Sequence, residues 1–473
     1  MAVGMISYGA YVPMYRMNLQ TLARNWGSPA GKGEKAVANW DEDSLTMATE
    51  SSVDCLNGLD RSMIDGLYFA TTTPAYREKQ NASIIAKVID LRRDITTADF
   101  ANSVRGGTNA LKAAIDAVKA GSAKRFLVTA ADCRVPAPDS QFERLFGDGS
   151  AAFLIGDSDL AVEIEGSVSI SSEFMDIWKR EEDRYVQAWE ERFIVTKGYL
   201  AHLEEIISMI FKKYKVTPKD FTKVVFYAFD QRRHLEIAKK LGFDPATQLQ
   251  DSLLSTVGHT GSAQAMMMLV AALEEAKPGD RILFVNYGDG ADAFILKVCD
   301  PIEKIRDRRG IKKNLASRME LPSYGKYLHF RNILDWGRQR EPERFGALTM
   351  SWRDRNWLLS CHGHKCRQCG TIQFPMQRVC TWCQAKDDFD EIRLSDKKGT
   401  LFTYSMDNLA TSVDKPTVIA IVNIAGGGRF STVLTDRDTE KINPDMPVEF
   451  TFRRVHEAQG IHNYFWKCRP VRA

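Results

Sequence analysis

Two pairs of cysteines carry the densest chemistry in the chain. Cys366-Arg367-Gln368-Cys369 and Cys380-Thr381-Trp382-Cys383 are separated by ten residues that include Pro375. Each C-x₂-C turn brings two thiolates to one side of a knuckle, and two knuckles close a tetrahedral shell with no position left for a reactive water. The spacing therefore predicts a structural metal held by Cys366, Cys369, Cys380 and Cys383. Zn²⁺ is the expected ion and iron its competitor, because sequence fixes the ligands and not the metal. His362, His364 and Cys361 stand close by and are read as bystanders. The cysteines number nine, and an odd count with this crowding suits a metal site in a reducing compartment better than a disulfide framework.

Other titratable residues have a weaker claim. Asp148 and Asp289 lie in turns, where Asp commonly bonds its own backbone, and Glu143 and His234 are weaker candidates as well. The turns themselves are informative because they repeat. Phe146-Gly147-Asp148-Gly149-Ser150-Ala151-Ala152-Phe153-Leu154-Ile155 returns as Tyr287-Gly288-Asp289-Gly290-Ala291-Asp292-Ala293-Phe294-Ile295-Leu296. Each copy follows a Gly-Thr or Gly-His-Thr turn (Gly107-Thr108; Gly258-His259-Thr260), an Ala-rich helix and a continuous apolar strand (Arg125 to Ala130; Arg281 to Asn286). Apolar runs of this kind suit a sheet covered on both faces. Two similar α/β halves are predicted.

Between the halves, Phe174 to Lys197 is rich in charge and aromatics and reads as an excursion covering a cleft. After Lys297 the pattern changes. Residues 301 to 355 carry many Arg and Lys with Trp336 and Trp352, which suggests a connector with one or two helices; Trp357 follows. From Gly399 onward the strand-type runs are Leu401 to Tyr404, Thr417 to Ile424, Phe430 to Leu434, Val448 to Arg453 and Asn463 to Cys468, a spacing that predicts a small barrel.

Composition narrows the function classes. The 64 Lys and Arg against 61 Asp and Glu leave a formal charge of +3, so no overall field draws nucleic acid or an anionic membrane. The longest apolar run, Ala265 to Leu273, is too short to cross a bilayer. The start, Met1 to Pro13, reads as a strand and turn and not as a signal peptide. A cytoplasmic protein without membrane or nucleic-acid partners is expected.

Several stretches resemble a known family: Ile6-Ser7-Tyr8-Gly9-Ala10-Tyr11-Val12-Pro13 with Arg16, Gly33-Glu34-Lys35-Ala36, Asp41-Glu42-Asp43, Thr97-Ala98-Asp99, Ala238-Lys239-Lys240-Leu241-Gly242-Phe243, and Lys277-Pro278-Gly279-Asp280-Arg281-Ile282-Leu283. Over about residues 1 to 298 the chain resembles the archaeal and bacterial 3-hydroxy-3-methylglutaryl-CoA synthases of the thiolase superfamily. From about residue 325 it resembles the DUF35 module, a helical start, a rubredoxin-like zinc ribbon and an OB-fold. The resemblance implies an α/β chain with a duplicated, five-layered αβαβα thiolase-like fold, followed by the ribbon and barrel. The expected divisions are 1–165 and 166–300 for the two halves, 301–355 for the connector, 356–390 for the ribbon and 391–473 for the OB-fold. It further implies a homodimer through the thiolase-like part and an acyl-CoA ligand, with coenzyme A as part of the substrate.

The same resemblance implies four changed positions. Matching Thr97-Ala98-Asp99 without gaps through Gly107-Thr108 places Val104 where the synthases carry a nucleophilic Cys, with Ser103 beside it. The family's general-base Glu falls near Thr72, its His at Tyr227, and the Asn of its Gly-Asn-Thr turn at His259. A thiolate acyl-enzyme is thereby lost, although backbone N–H groups at the helix start remain to hold a thioester carbonyl. Tyr227 and His259 then supply an acid and a base, His259 with an ordinary pKa near 6.5 and Tyr227 as a phenol needing a lowered pKa or a proton partner. That pair suits aldol or retro-aldol chemistry on a β-hydroxyacyl-CoA. Three alternatives stay open. The chain is a non-catalytic subunit or acyl-CoA-binding scaffold for a thiolase-like partner; it is a synthase-like acyltransferase working through Ser103; or His259 and Tyr227 are a turn residue and a core residue.

Overall fold

The long apolar runs of the first three hundred residues become strands of one nine-stranded sheet. In spatial order these are Lys223–Phe226, Arg281–Tyr287, Gly290–Val298, Val162–Ser171, Gly4–Tyr11, Gly149–Gly156, Arg125–Asp132, Gly66–Ala70 and Thr96–Phe100. The computed structural model describes residues 2–29, 31–334 and 347–472. It divides into two units. The first comprises Met1–Ala38, Asp43–Ala86 and Leu91–Ile333, and the second Asn39–Glu42, Lys87–Asp90 and Leu334–Ala473.

The sequence repeat is a repeat of topology. In one half, Gly66–Ala70 runs parallel to Arg125–Asp132, which is antiparallel to Gly149–Gly156, itself antiparallel to Gly4–Tyr11. In the other, Lys223–Phe226 runs parallel to Arg281–Tyr287, antiparallel to Gly290–Val298, itself antiparallel to Val162–Ser171. Where the first half adds Thr96–Phe100, the second has an isolated parallel bridge from Val224 to Leu249. The halves meet where Gly4 and Met5 pair with Glu163 and Val162.

The helices Gly106–Lys119 and Gln264–Glu275 occupy equivalent places before the strands Arg125–Asp132 and Arg281–Tyr287. They cross closely at Gly107, where an added Cβ would lie 2.5 Å from the Met266 sulfur. The apolar run noted at Ala265 to Leu273 is explained by this position: Met266, Met267, Met268, Leu269 and Val270 are all buried, as a helix apolar on all sides requires. Residues 301 to 333 belong to the first unit. Met319–Glu320 pairs in parallel with Tyr15 and Arg16, and helices Gly310–Ala316 and Tyr324–Phe330 flank it. Trp336 lies outside the described residues.

In the second unit, the short helices Leu348–Arg353 and Arg355–Leu358 precede a three-stranded ribbon of His362–Cys366, Ile372–Gln373 and Phe389–Arg393. The five expected strand runs then form a closed barrel in the order Gly399–Asp407, Thr417–Ile424, Arg429–Leu434, Ile461–Pro470, Pro447–Ala458. Alternation drives this closure. Val418, Ala420, Val422 and Ile424 point inward from one strand while its intervening residues are more exposed, the period of two that a barrel wall requires. No helix among the described residues is long and apolar enough to cross a membrane.

Candidate active site and metal centre

Tyr227 follows directly on the strand Lys223–Phe226 and extends its pairing: its N–H donates to the Val285 carbonyl at 2.9 Å, and its own carbonyl accepts the Tyr199 hydroxyl at 2.9 Å. His259 is fixed by the turn around it. Its N–H donates to Leu145 O at 2.7 Å, its carbonyl accepts from Gly147 N at 3.2 Å, and Gly261 N donates to its Nδ1 at 3.1 Å. Gly261 has φ +60°, and a Cβ there would lie 2.1 Å from Asp132 Oδ2. Only glycine permits that conformation at that distance.

These two elements bring the predicted pair together. His259 Nε2 lies 2.6 Å from Tyr227 Oη, with the rings in edge-on contact and both side chains about 2% exposed. Arg134 Nη2 lies 2.6 Å from His259 Nδ1. Burial, and then the Arg134 charge, hold the His259 imidazole well below its ordinary 6.5. Burial pushes the Tyr227 hydroxyl well above the ordinary phenol range against the opposing pull of Arg134. The structure thus corrects the expected titration: burial favours the neutral form of His259, and Tyr227 has a hydrogen-bond partner in that ring without a lowered pKa.

Three residues join this site that the sequence reading missed. Arg134 is the first. Asp176, in the excursion, accepts the Tyr287 hydroxyl at 2.8 Å, and the Tyr287 ring lies 5.6 Å from that of Tyr227. Burial raises the Asp176 carboxyl pKa, with the Tyr287 hydrogen bond opposing. The one available signal was Asp132-Cys133-Arg134, charge placed at the end of an otherwise apolar strand.

The neighbouring turns explain the other family positions. Thr72 stands in a loop gathered by Asp132, whose Oδ1 accepts from Thr71 Oγ1 (2.9 Å), Thr72 N (2.6 Å) and Thr73 Oγ1 (3.1 Å), while Oδ2 accepts from Ser262 N at 2.7 Å. Thr72 supplies no carboxylate, and its buried hydroxyl has no partner. Val104 packs against Gly288, where an added Cβ would lie 2.7 Å from Val104 Cγ2. The helix begins at Gly106, and the backbone donors expected to be free here are partly taken: Arg105 N–H bonds Ser103 Oγ at 3.2 Å and Gly106 N–H bonds Ser103 O at 2.9 Å. Ser103 donates its hydroxyl to Asp289 Oδ2 at 2.6 Å. Neither turn aspartate is confined to its own backbone, since Asp148 pairs with Arg331 at 3.1 Å and accepts from Ala38 N at 2.7 Å. Glu143 binds Trp26 and Tyr324, and burial holds His234 down at about 4.

In the second unit the four predicted cysteines converge. Their sulfurs lie within 4.8 Å of one another, with Cys366–Cys383 and Cys369–Cys380 each at 3.5 Å. A tetrahedral ion with metal–sulfur bonds of about 2.3 Å sets sulfurs about 3.8 Å apart, so the set fits such an ion. The bystanders are engaged elsewhere. His362 bridges Asp90 (2.7 Å) and Glu391 (2.6 Å), His364 Nδ1 lies 2.9 Å from Gln377 O, and Cys361 is buried with its thiol pushed up to about 12.

Comparison with known proteins agrees with this architecture. Residues 211–297 match the model of the 3-oxoacyl-[acyl-carrier-protein] synthase III C-terminal domain, and residues 391–453 match the C-terminal OB-fold domain of ChsH2. The chain is 35% identical over 344 residues to a hydroxymethylglutaryl-CoA synthase of Pyrococcus horikoshii, spanning 71% of this chain and 94% of that one. It is 32% identical over 343 residues to the corresponding synthase of Methanopyrus kandleri, spanning 70% and 98%. Among solved structures, an HMG-CoA synthase complexed with CoA superposes with a TM-score of 0.65 at 20% identity, covering 73% of this chain and 92% of that one. The 3-oxoacyl-[acyl-carrier-protein] synthase III of Aquifex aeolicus gives 0.57 at 21% identity, covering 62% and 99%. These two establish a thiolase-like fold.

Proposed function

Because the chain belongs to the hydroxymethylglutaryl-CoA synthase family, we propose that it makes or breaks a carbon–carbon bond beside a CoA thioester, by aldol or retro-aldol chemistry on a β-hydroxyacyl-CoA and without a cysteine acyl-enzyme. The observation that supports this reading is the 2.6 Å contact of Tyr227 Oη with His259 Nε2, in a chain that carries Val104 where the ungapped family match sets the synthase cysteine. In cleavage, Tyr227 first gives its proton to solvent, a loss that burial opposes and the Arg134 charge favours. The tyrosinate then takes the β-hydroxyl proton, the hydroxyl carbon becomes a carbonyl, and the electron pair of the breaking C–C bond passes to the thioester enolate, whose carbon is protonated by water. Condensation is the reverse, with the Tyr227 proton delivered to the new alkoxide. The reading extends to Zn²⁺ as a structural ion on Cys366, Cys369, Cys380 and Cys383, to a cytoplasmic homodimer formed through the thiolase-like part, and to the five divisions set out from the sequence.

A second reading is a non-catalytic, acyl-CoA-binding subunit for a thiolase-like partner, favoured by how little of Tyr227 and His259 is exposed. Kinetics decide between them. Tyr227→Phe and His259→Ala are each expected to lower turnover of a β-hydroxyacyl-CoA, or of its aldol components, by about 10²-fold or more while near-ultraviolet circular dichroism stays unchanged. Wild-type protein that binds acyl-CoA yet catalyses neither direction would establish the subunit reading.

A further inference from the structure

We propose that Arg134 is a positioning residue that fixes where the proton sits in the Tyr227–His259 pair, leaving the Tyr227 hydroxyl hydrogen as the one proton the pair presents to substrate. The inference rests on Tyr227 being the proton-transfer group of the proposed reaction.

The argument follows from which atoms can donate. A guanidinium has only donors, and so has a backbone amide N–H. Arg134 Nη2 lies 2.6 Å from His259 Nδ1, and Gly261 N donates to that same nitrogen at 3.1 Å. With two donors aimed at it, Nδ1 carries a lone pair. A neutral imidazole must then hold its hydrogen on Nε2, which is 2.6 Å from Tyr227 Oη. The Nε2–H donates, Tyr227 Oη accepts, and the phenol hydrogen turns away from the imidazole. His259 is therefore not the base that takes a proton from Tyr227. It is a fixed donor that stabilises tyrosinate when Tyr227 has given its proton up.

Arg134 is built to hold this arrangement. Its guanidinium lies 3.8 Å from the Phe146 ring centre, Nη2 reaches the His259 carbonyl at 3.3 Å, and its own carbonyl accepts from Arg331 Nη2 at 2.9 Å. No carboxylate among the described residues forms an ion pair with Arg134, and its buried Nε has no hydrogen-bond partner. Such a cation favours negative charge nearby, and the nearest group that acquires one in the reaction is Tyr227 Oη, reached through the imidazole. The other charged and titratable groups acting here are Asp132 and Asp148 on Arg134, Asp176 and Tyr287 beside Tyr227, and Tyr199 against the Tyr227 carbonyl.

The full chain labelled with ¹⁵N-histidine tests this by two-bond ¹H–¹⁵N spectra, with His259→Ala identifying the signal. The expected result is a neutral ring with hydrogen on Nε2 that does not titrate between about pH 5 and 8. Arg134→Met is expected to add the Nδ1–H tautomer and to raise the tyrosinate absorbance midpoint of Tyr227, read as the difference from Tyr227→Phe, and Arg134→Lys to restore both in part. A wild-type His259 protonated on Nδ1, or an imidazolium at pH 7, would overturn the proposal, as would a folded Arg134→Met protein with both signals unchanged. If Arg134→Met does not fold, the wild-type tautomer alone decides. No substrate enters these spectra, so the expected tautomer in a protein that turns over no β-hydroxyacyl-CoA would sink the proposed reaction and leave the relay intact.

Discussion

Val104 falls where the family's matching stretch carries a cysteine, and under the proposed reaction no acyl-enzyme forms there. Val104 fills its space with methyl groups against Gly288, and the hydroxyl beside it is committed to Asp289. Iodoacetamide treatment of the native chain, read by peptide mass spectrometry, is accordingly expected to modify nothing between Asn102 and Arg105, and acetyl-CoA is expected to leave no adduct there. In the same digest Cys366, Cys369, Cys380 and Cys383 should stay unmodified until a chelator removes their metal, because a thiolate bound to an ion is a poor nucleophile toward the reagent. Acetyl on Ser103 would restore the acyltransferase reading, and four cysteines alkylated without chelator would end the metal assignment. That Tyr227 and His259 meet was legible from the family's matching stretches. Their protonation was not, because burial and a guanidinium 125 residues away in sequence set it.

At the scale of elements, the site depends on two turns pressed against one strand end. Asp132 closes the strand Arg125–Asp132 and gathers the Thr71–Thr73 loop on one oxygen and the Ser262 N–H on the other. Gly261, beside His259, must come close enough to Asp132 that a methyl group has no room, and it does so at positive φ. Gly261→Ala combines backbone strain with a clash. It is expected to cost about 1–3 kcal/mol in denaturant unfolding and to lower turnover beyond the loss of folded protein. A variant with wild-type stability and rate would show that the turn is not what places His259. The elements themselves were the most readable part of the chain, since the Phe146-to-Ile155 and Tyr287-to-Leu296 copies announced the duplicated strands, and five alternating runs became five barrel strands. The stretch after Lys297 was less readable. Met319–Glu320 is a strand only because Tyr15 and Arg16, some three hundred residues earlier, supply its edge, and local sequence carries no trace of such a pairing.

At the scale of the whole molecule, chain order and unit membership diverge, and the consequence is a charge cluster no local pattern announces. Residues Asn39–Glu42 belong to the second unit although they precede most of the first. There Asp41 pairs with Arg453 at 3.0 Å and Lys467 at 2.7 Å, Glu42 with Arg453 at 2.9 Å, and Asp436 with Arg453 at 2.5 Å, all in places closed to solvent. A cation so enclosed is tolerated only while its partners are charged. Burial alone would raise the Asp41 carboxyl, but Lys467 and Arg453 hold it down at about 2. The sign follows from linkage. A carboxylate whose folded pKa lies below its unfolded value near 3.9 stabilises the fold above that value and loses the contribution as pH falls toward the folded one. Hydrogen exchange in the strands Pro447–Ala458 and Ile461–Pro470 is therefore expected to lose protection between about pH 4 and pH 2. Asp41→Asn should flatten that dependence and, by leaving Lys467 and part of Arg453 uncompensated, destabilise these strands at pH 7 by about 3–5 kcal/mol. Equal protection in the variant and the wild type across that range would mean that Asn39–Glu42 passes by the barrel without holding its buried charges. The pairing distances would then carry no stability, and the barrel would be free to fold without the segment from the amino-terminal part of the chain.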